Sequence, residues 1–313
     1  MELNDRIRGA VVGLAYGDAL GLGAEFMTQH EVGAYYPDGL RRFDQMVRDA
    51  HRMAWKRGEY TNETLLTSLM LESVVESDGF VPYNLCKKFQ AWYAEEERDI
   101  PPVLRLFCNN SEWLENPIPV AHRVWHSSRV CEASNETLHR ALVTGLTSED
   151  DHLNEHTRKF VLLTHDDSRC VASTMVTARV IRGILREKED NIDNLMRLCS
   201  QIDNRTKPFL QMAWEGDIEG IKPDDSDTQT WTRKGMATAL WGYWHHDNAP
   251  DMIHSVIDRG GDANTNACIA GAMAGLKFGY EALPEEKEKI KGLDYLIDLS
   301  DKVAELTDRK VFG

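Results

Sequence analysis

The chain has few cysteines and none of them in pairs. Cys86, Cys108, Cys131, Cys170, Cys199 and Cys268 are scattered with no C-x-x-C among them, which excludes a zinc-finger-type cluster and a dense disulfide framework and fits a reducing cytoplasmic setting. Uninterrupted hydrophobic runs are equally scarce. The most apolar stretch, GAVVGLAYGDALGLGAEF, is broken by Asp18 and closed by Glu25, short of the ~18 consecutive apolar residues that a bilayer span requires. The opening MELNDRIRGA puts acids before its arginines and lacks the basic-then-apolar order of a secretory signal. Positive charge is in deficit: 36 Lys and Arg against 51 Asp and Glu leave a formal net charge of -15. Nucleic-acid affinity rests on basic side chains neutralising phosphates, so neither a nucleic acid nor a membrane is expected as partner.

Alternating strand patterns bounded by hairpin dipeptides are also rare, whereas helical periodicity is abundant. LLTSLMLESVV carries Leu65, Leu66, Leu69, Met70 and Val74 at helical offsets, and VASTMVTARVIRGIL and KGMATALWGYW repeat the pattern with smaller residues. The expected class is all-α. With 42% apolar residues the chain can bury a sizeable core. The insertions SDGFVP, NNSEWLENPIP, GLTSEDDHLNEH and EGDIEGIKPDDSDTQ read as loops, because Gly, Pro, Asn and Asp compete with helix there. PEEKEKIKGLDYLIDLSDKVAEL reads as one or two amphipathic helices with a solvated charged face.

Four stretches combine small residues with oxygen-bearing side chains at predicted helix edges. GLAYGDALGLGAEF sets Asp18 and Glu25 among Gly13, Gly17, Gly21 and Gly23. GEYTNETLLTSLML offers Thr61 or Asn62 as a helix N-cap with Glu63 in the first turn, a pattern the helix dipole favours without any further function. EASNETLHRALVTGL places Asn135 before a helix, with Arg140 five residues on. RGGDANTNACIAGAMAGLKFG leads through Gly260 and Gly261 into Asp262, Asn264 and Thr265, and then into a helix so rich in Ala and Gly that another backbone must lie against it. Asp262, Asn264 and Thr265 supply three hard oxygen donors, suited to Mg2+ or Ca2+ and not to a soft metal.

In this order and at these separations the stretches resemble the ADP-ribosylglycohydrolase family, which includes the dinitrogenase reductase-activating glycohydrolase and the ADP-ribosyl-arginine and ADP-ribosyl-serine hydrolases. The first looks like the family's G-x-x-x-G-x-x-x-G-D-A-L-G-x-x-x-E, and TNET falls where the family has T-D-D-T. SNETLHR falls at N-G-x-x-M-R, LLTHDDS with His165 resembles the T-H-x-x-P helix start, and GMATALWGYW followed by GGDANTNACIAGAMAG looks like A-L-W and G-G-D-x-D-T-N-A-x-x-A-G-A-x-A-G. The resemblance implies one orthogonal helical bundle over residues 1–313 with a cleft for two Mg2+ ions, where Mn2+ or Ca2+ could substitute. It implies a hydrolase that removes ADP-ribose from a modified protein or small molecule. It also admits a non-catalytic relative that binds an ADP-ribose-like ligand or a protein partner through the same cleft. By position it implies Glu25, Glu63 and Asp262 as catalytic, Asn135, Gly261 and Asp18 as substrate-binding, and Thr61, Asn62, Glu63, Asp262, Asn264 and Thr265 as metal ligands. Where the family carries Asp, Asn62, Glu63 and Asn264 stand here, and Glu136 and His139 replace a glycine and a methionine. The implied metal site thereby loses two negative charges.

Overall fold

Gly9, Gly13, Gly17 and Gly21 recur every fourth residue, so in the helix Leu3–Gly21 they share one face. Ala263, Ala267, Gly271 and Gly275 do the same in the helix Ala263–Phe278. In the computed structural model, which describes residues 1–96, 98–128, 132–188 and 190–313, these two faces press together in antiparallel order. A Cβ built on Gly9 would lie 2.3 Å from the Gly275 carbonyl oxygen, one on Gly13 2.2 Å from that of Gly271, and one on Gly17 2.0 Å from that of Ala267. The inference that another backbone must lie along the Ala/Gly helix holds, and the other backbone is that of the opening helix. Every residue from Gly9 to Gly21 and from Ala263 to Leu276 is buried.

Around this pair lie the helices Asn62–Glu76, Arg140–Thr147, Ser168–Arg186, Thr232–Trp244, Ala249–Ile257 and Leu293–Thr307. The described residues contain no strand, only two isolated bridges, Met27 with Gly261 and Ser134 with Trp231. The class is all-α, as the periodicity indicates. No helix among the described residues is long and apolar enough to cross a membrane. Cys86, Cys108, Cys170, Cys199 and Cys268 are free thiols; Cys131 lies outside the described residues.

Four local expectations are corrected. NNSEWLENPIP is not a loop throughout: Glu112–Glu115 is a short helix and Pro117 opens the helix Pro117–Ser127, because a proline in the first helical turn forfeits no hydrogen bond. GLTSEDDHLNEH likewise ends one helix at Thr147 and begins the next at Leu153, and EGDIEGIKPDDSDTQ contains the short helix Ile218–Ile221. The charge run near the C-terminus is only partly solvated. Glu286 and Lys287 are buried, and Glu286 accepts a hydrogen bond from the Phe43 N–H at 3.0 Å.

Candidate active site

After Gly21 the opening helix gives way to a turn that carries Glu25 back toward the start of its partner helix. The Phe26 N–H donates to the Gly261 carbonyl and the Gly261 N–H to the Met27 carbonyl, both at 2.7 Å. This single bridge sets Glu25 against Asp262. It needs the glycine: Gly261 has φ +67°, and a Cβ there would stand 2.1 Å from the Pro223 carbonyl oxygen. Phe26 itself holds φ +60°, an uncommon conformation for a bulky residue. Its half-exposed ring sits 5.7 Å from that of His51.

One turn before Gly21, Asp18 is wholly buried. Its carboxylate accepts the Thr61 N–H at 3.0 Å and the Thr64 N–H at 3.1 Å, and the two hydroxyls at 2.7 and 2.6 Å. Asp18 therefore caps the helix Asn62–Glu76 from outside it. Thr61 occupies the N-cap position but gives no side-chain cap, and with both oxygens taken and no exposure Asp18 offers a substrate nothing. The geometry makes it the brace between two motifs. Burial raises its pKa to about 6 against those four hydrogen bonds.

Freed from capping, the Thr61 hydroxyl faces carboxylate oxygens of both Asp18, at 2.7 Å, and Glu63, at 2.5 Å. It has one proton to give, so the second contact needs a proton on a carboxyl group or a cation between the oxygens. Glu63 also accepts from the Thr265 hydroxyl at 3.2 Å and lies 3.5 Å from the Asn264 amide nitrogen. Burial and the neighbouring Asp18, Asp99 and Asp262 hold its carboxyl well above the usual range. The Asn264 Oδ1 is buried without a hydrogen-bond partner among the described residues, as are both side-chain polar atoms of Asn266.

Asp262 accepts the Asn135 amide at 2.8 Å. Asn135 is positioned by its own N–H bonded to the Thr230 carbonyl at 2.9 Å, in the second isolated bridge. Burial raises the Asp262 pKa, opposed by hydrogen bonds from Asn135 and Thr265. Glu25 is raised to about 7 by burial, with Asp262 and Asp99 adding to the effect and a hydrogen bond from His51 opposing it. That bond is 2.6 Å, from an imidazole whose pKa Glu25 raises in turn.

The structure thus brings together Glu25, Thr61, Asn62, Glu63, Asn135, Gly261, Asp262, Asn264 and Thr265, nearly all the candidates, and sets Asp18 behind them. Two residues went unnoticed in the sequence. His51 lies in a loop with no diagnostic pattern. Asp99 follows the helix Pro82–Glu95 and holds φ +50°, accepting both the side-chain amide of Asn62 at 2.7 Å and its backbone N–H at 3.2 Å. Asp99 thus sets a carboxylate against Asn62, one of the two positions where the resemblance implies a lost charge. Only the turn-favouring RDI following an acidic run marked that loop, and nothing marked its destination.

The histidine and arginine that the resemblance singled out are internal supports. His165 is buried and bonded to the Ser134 and Thr164 hydroxyls at 3.1 and 2.8 Å. Arg140 donates to the Phe160 carbonyl and the Thr164 hydroxyl. Between them, Glu136 keeps a side chain 22% exposed and 3.7 Å from His165. Burial raises its pKa to about 7, opposed by Arg140 and a Ser134 hydrogen bond. A raised folded-state pKa means a contribution fully present below the unfolded value and lost as pH rises through 7. Glu136→Gln should therefore stabilise the protein by about 1–3 kcal/mol at pH 8 and change little near pH 4. Urea midpoints at the two pH values check this; equal shifts at both would contradict it.

Comparison with known proteins bears on the family and the fold. The family model for ADP-ribosylglycohydrolase matches residues 1–311. The ADP-ribosyl-[dinitrogen reductase] glycohydrolase of Rhodospirillum rubrum is 22% identical over 90% of this chain and 89% of its own. The ADP-ribosylarginine hydrolase Tri1 of Serratia proteamaculans is 23% identical over 91% of this chain and 74% of its own. A solved structure described as an ADP-ribosylglycohydrolase-related protein complex superposes with a TM-score of 0.75 at 22% identity, covering 98% of this chain and 99% of that one, so the fold is shared. With a family model matched from end to end and the motif residues meeting at one site, the chain belongs to the ADP-ribosylglycohydrolase family.

Proposed function

We propose that this protein hydrolyses the glycosidic bond between the anomeric carbon of an ADP-ribosyl group and a modified protein side chain or small molecule, with a divalent cation's help. The observation that carries it is the buried meeting of Glu25, Glu63 and Asp262, drawn from three parts of the chain, with the exposed Asp99 at their edge; burial raises the pKa of all three, and Asp99 raises each further. A fold does not gather buried carboxylates for stability, since each resists desolvation. Cleaving a glycosidic bond passes through an oxocarbenium-like transition state, which closely placed carboxylates stabilise while one of them manages a proton.

The donor set fits a hard divalent cation. All its atoms are oxygen, the Thr61 hydroxyl is one proton short for its two carboxylate neighbours, and the Asn264 Oδ1 has no hydrogen-bond partner among the described residues. Thr61, Glu63, Asp262, Asn264 and Thr265 would hold the ion, with Asp99 close to Asn62. Bound there, Mg2+ would act as a Lewis acid and offset the clustered negative charge. Asn135 orients the Asp262 carboxylate through its 2.8 Å hydrogen bond. Glu25 lies beside His51 and Phe26, whose side chains reach the surface, and there it can take a proton from water or give one to the leaving group. A carboxyl with a pKa of about 7 is suited to both directions.

Release of ADP-ribose from ADP-ribosyl-arginine and ADP-ribosyl-serine peptides, with Mg2+, Mn2+ or EDTA, tests the reading. Turnover with either peptide that EDTA suppresses is expected. Binding of ADP-ribose without release under any of these conditions would overturn it in favour of a non-catalytic binder.

A further inference from the structure

The helix Pro117–Ser127 carries His122 and His126 one turn apart, so both imidazoles leave the same face. Opposite them stands Asp166. Its Oδ2 is hydrogen-bonded to His122 Nδ1 and lies 3.2 Å from His126 Nε2. The ring centroids of the two histidines are 4.6 Å apart, and one donor atom from each of the three residues lies within 4.8 Å of the others. Among the described residues no lysine or arginine pairs with Asp166, so two imidazoles converge on one carboxylate with no fixed cation to explain it. This cluster lies outside the oxygen-lined site and shares no residue with it.

The geometry points to a zinc-type metal site formed by His122, His126 and Asp166. Two imidazoles and a carboxylate are the donors that borderline first-row ions such as Zn2+ select, whereas Mg2+ and Ca2+ require an all-oxygen shell. Metal–ligand bonds of about 2.0–2.2 Å place the ligand atoms of a tetrahedral ion about 3.3–3.5 Å apart, close to the present His126–Asp166 separation. Three protein ligands leave the fourth position to water, which the exposure of both histidines permits.

The supports of the site are already rigid. Val120, Ala121 and Trp125 bury the opposite face of the histidine helix. Asp166 sits between the wholly buried His165 and Asp167, whose side chain caps the helix Ser168–Arg186 by accepting the Arg169 N–H at 2.8 Å. The Trp113 indole N–H fixes the same turn by donating to the Leu163 carbonyl at 2.8 Å. The Trp125 ring, 5.2 Å from that of His165, lies between the two halves. An ion at this place would tie the Pro117–Ser127 helix to the turn that seats His165, and through Ser134 to the segment that presents Asn135.

Titration of the full-length protein with Zn2+ in millimolar Mg2+, which occupies the oxygen site, tests the proposal. One equivalent of Zn2+ should bind, Co2+ should give the intense visible absorption of a tetrahedral nitrogen–oxygen site, and Mg2+ alone should give neither. Paired substitution His122→Ala with His126→Ala, and separately Asp166→Asn, should weaken Zn2+ binding ~100-fold or more, the upper end of what even outer-shell substitutions cost, while circular dichroism stays unchanged. Glu63→Gln should leave the zinc stoichiometry at one. Zinc binding that survives the paired histidine substitution, or that disappears with Glu63→Gln, would overturn the proposal.

Discussion

Gly13→Val should abolish folding, or leave a chain whose unfolding free energy in urea is lower by ~4–5 kcal/mol or more, the range reserved for severe core defects. At the Cβ position the Gly271 carbonyl oxygen stands 2.2 Å away and its carbon 3.0 Å. No rotamer change relieves this, because the obstacle is backbone. The helices Leu3–Gly21 and Ala263–Phe278 would have to separate along their whole seam, and the close approaches at Gly9, Gly17 and Gly21 would open together. Against a total stability of typically 5–15 kcal/mol, that loss is decisive. Gly33 serves as control: it lies in the helix Gln29–Tyr35 with nothing within 4 Å of a built Cβ, so Gly33→Ala should be neutral or stabilise by about 0.5–1 kcal/mol. A Gly13→Val protein as stable as the Gly33→Ala one would refute the glycine seam.

Asp262→Asn should lower kcat/KM for ADP-ribose release by ~1000-fold or more, about 4 kcal/mol of transition-state stabilisation, while folding stability holds or rises. Asparagine keeps the shape and can still bond Asn135 after an amide rotation, but it removes one buried charge from a cluster that includes Glu25, Glu63 and Asp99. A residue kept for stability would show the reverse pattern. Stopped assays of ADP-ribose release together with urea midpoints separate the two. Activity within tenfold of the parent would remove Asp262 from the site, and a large stability loss would make it structural.

The helical class was legible because apolar residues recur at the helical period in 62–76, 168–186 and 232–244. The seam was legible too, because only another backbone can satisfy a helix with that much glycine. The segment endings misled where proline and asparagine open a helix as well as interrupt one, as at Pro117. Within the site, motif residues declared themselves through small-residue spacing and adjacent oxygen donors. Asp18 declared its presence but not its task, since a capping role supplied from another helix leaves no local signature. Asp99 and His51 could not be found at all: each is a single polar residue on a loop, and its partner, Asn62 or Glu25, is fixed only by the tertiary fold. The carboxylate that Asp99 sets against Asn62 was hidden for the same reason, because it comes from a residue 37 positions along the chain.

The seam between the first helix and the Ala263–Phe278 helix has a bearing on synthesis. Thr265 meets Glu63 across 202 residues of sequence, and the first helix has no backbone to lie against until the Ala/Gly helix has left the ribosome. For most of translation an apolar, glycine-grooved surface waits without its mate, in a topology whose defining contacts are the most distant ones and therefore the slowest to close. A chain stopped before residue 262 would lack both the mate and three of the five proposed oxygen donors, Asp262, Asn264 and Thr265. Catalysis, as proposed here, would then begin only on the completed polypeptide, and an arrested nascent chain would present that groove to holdase chaperones.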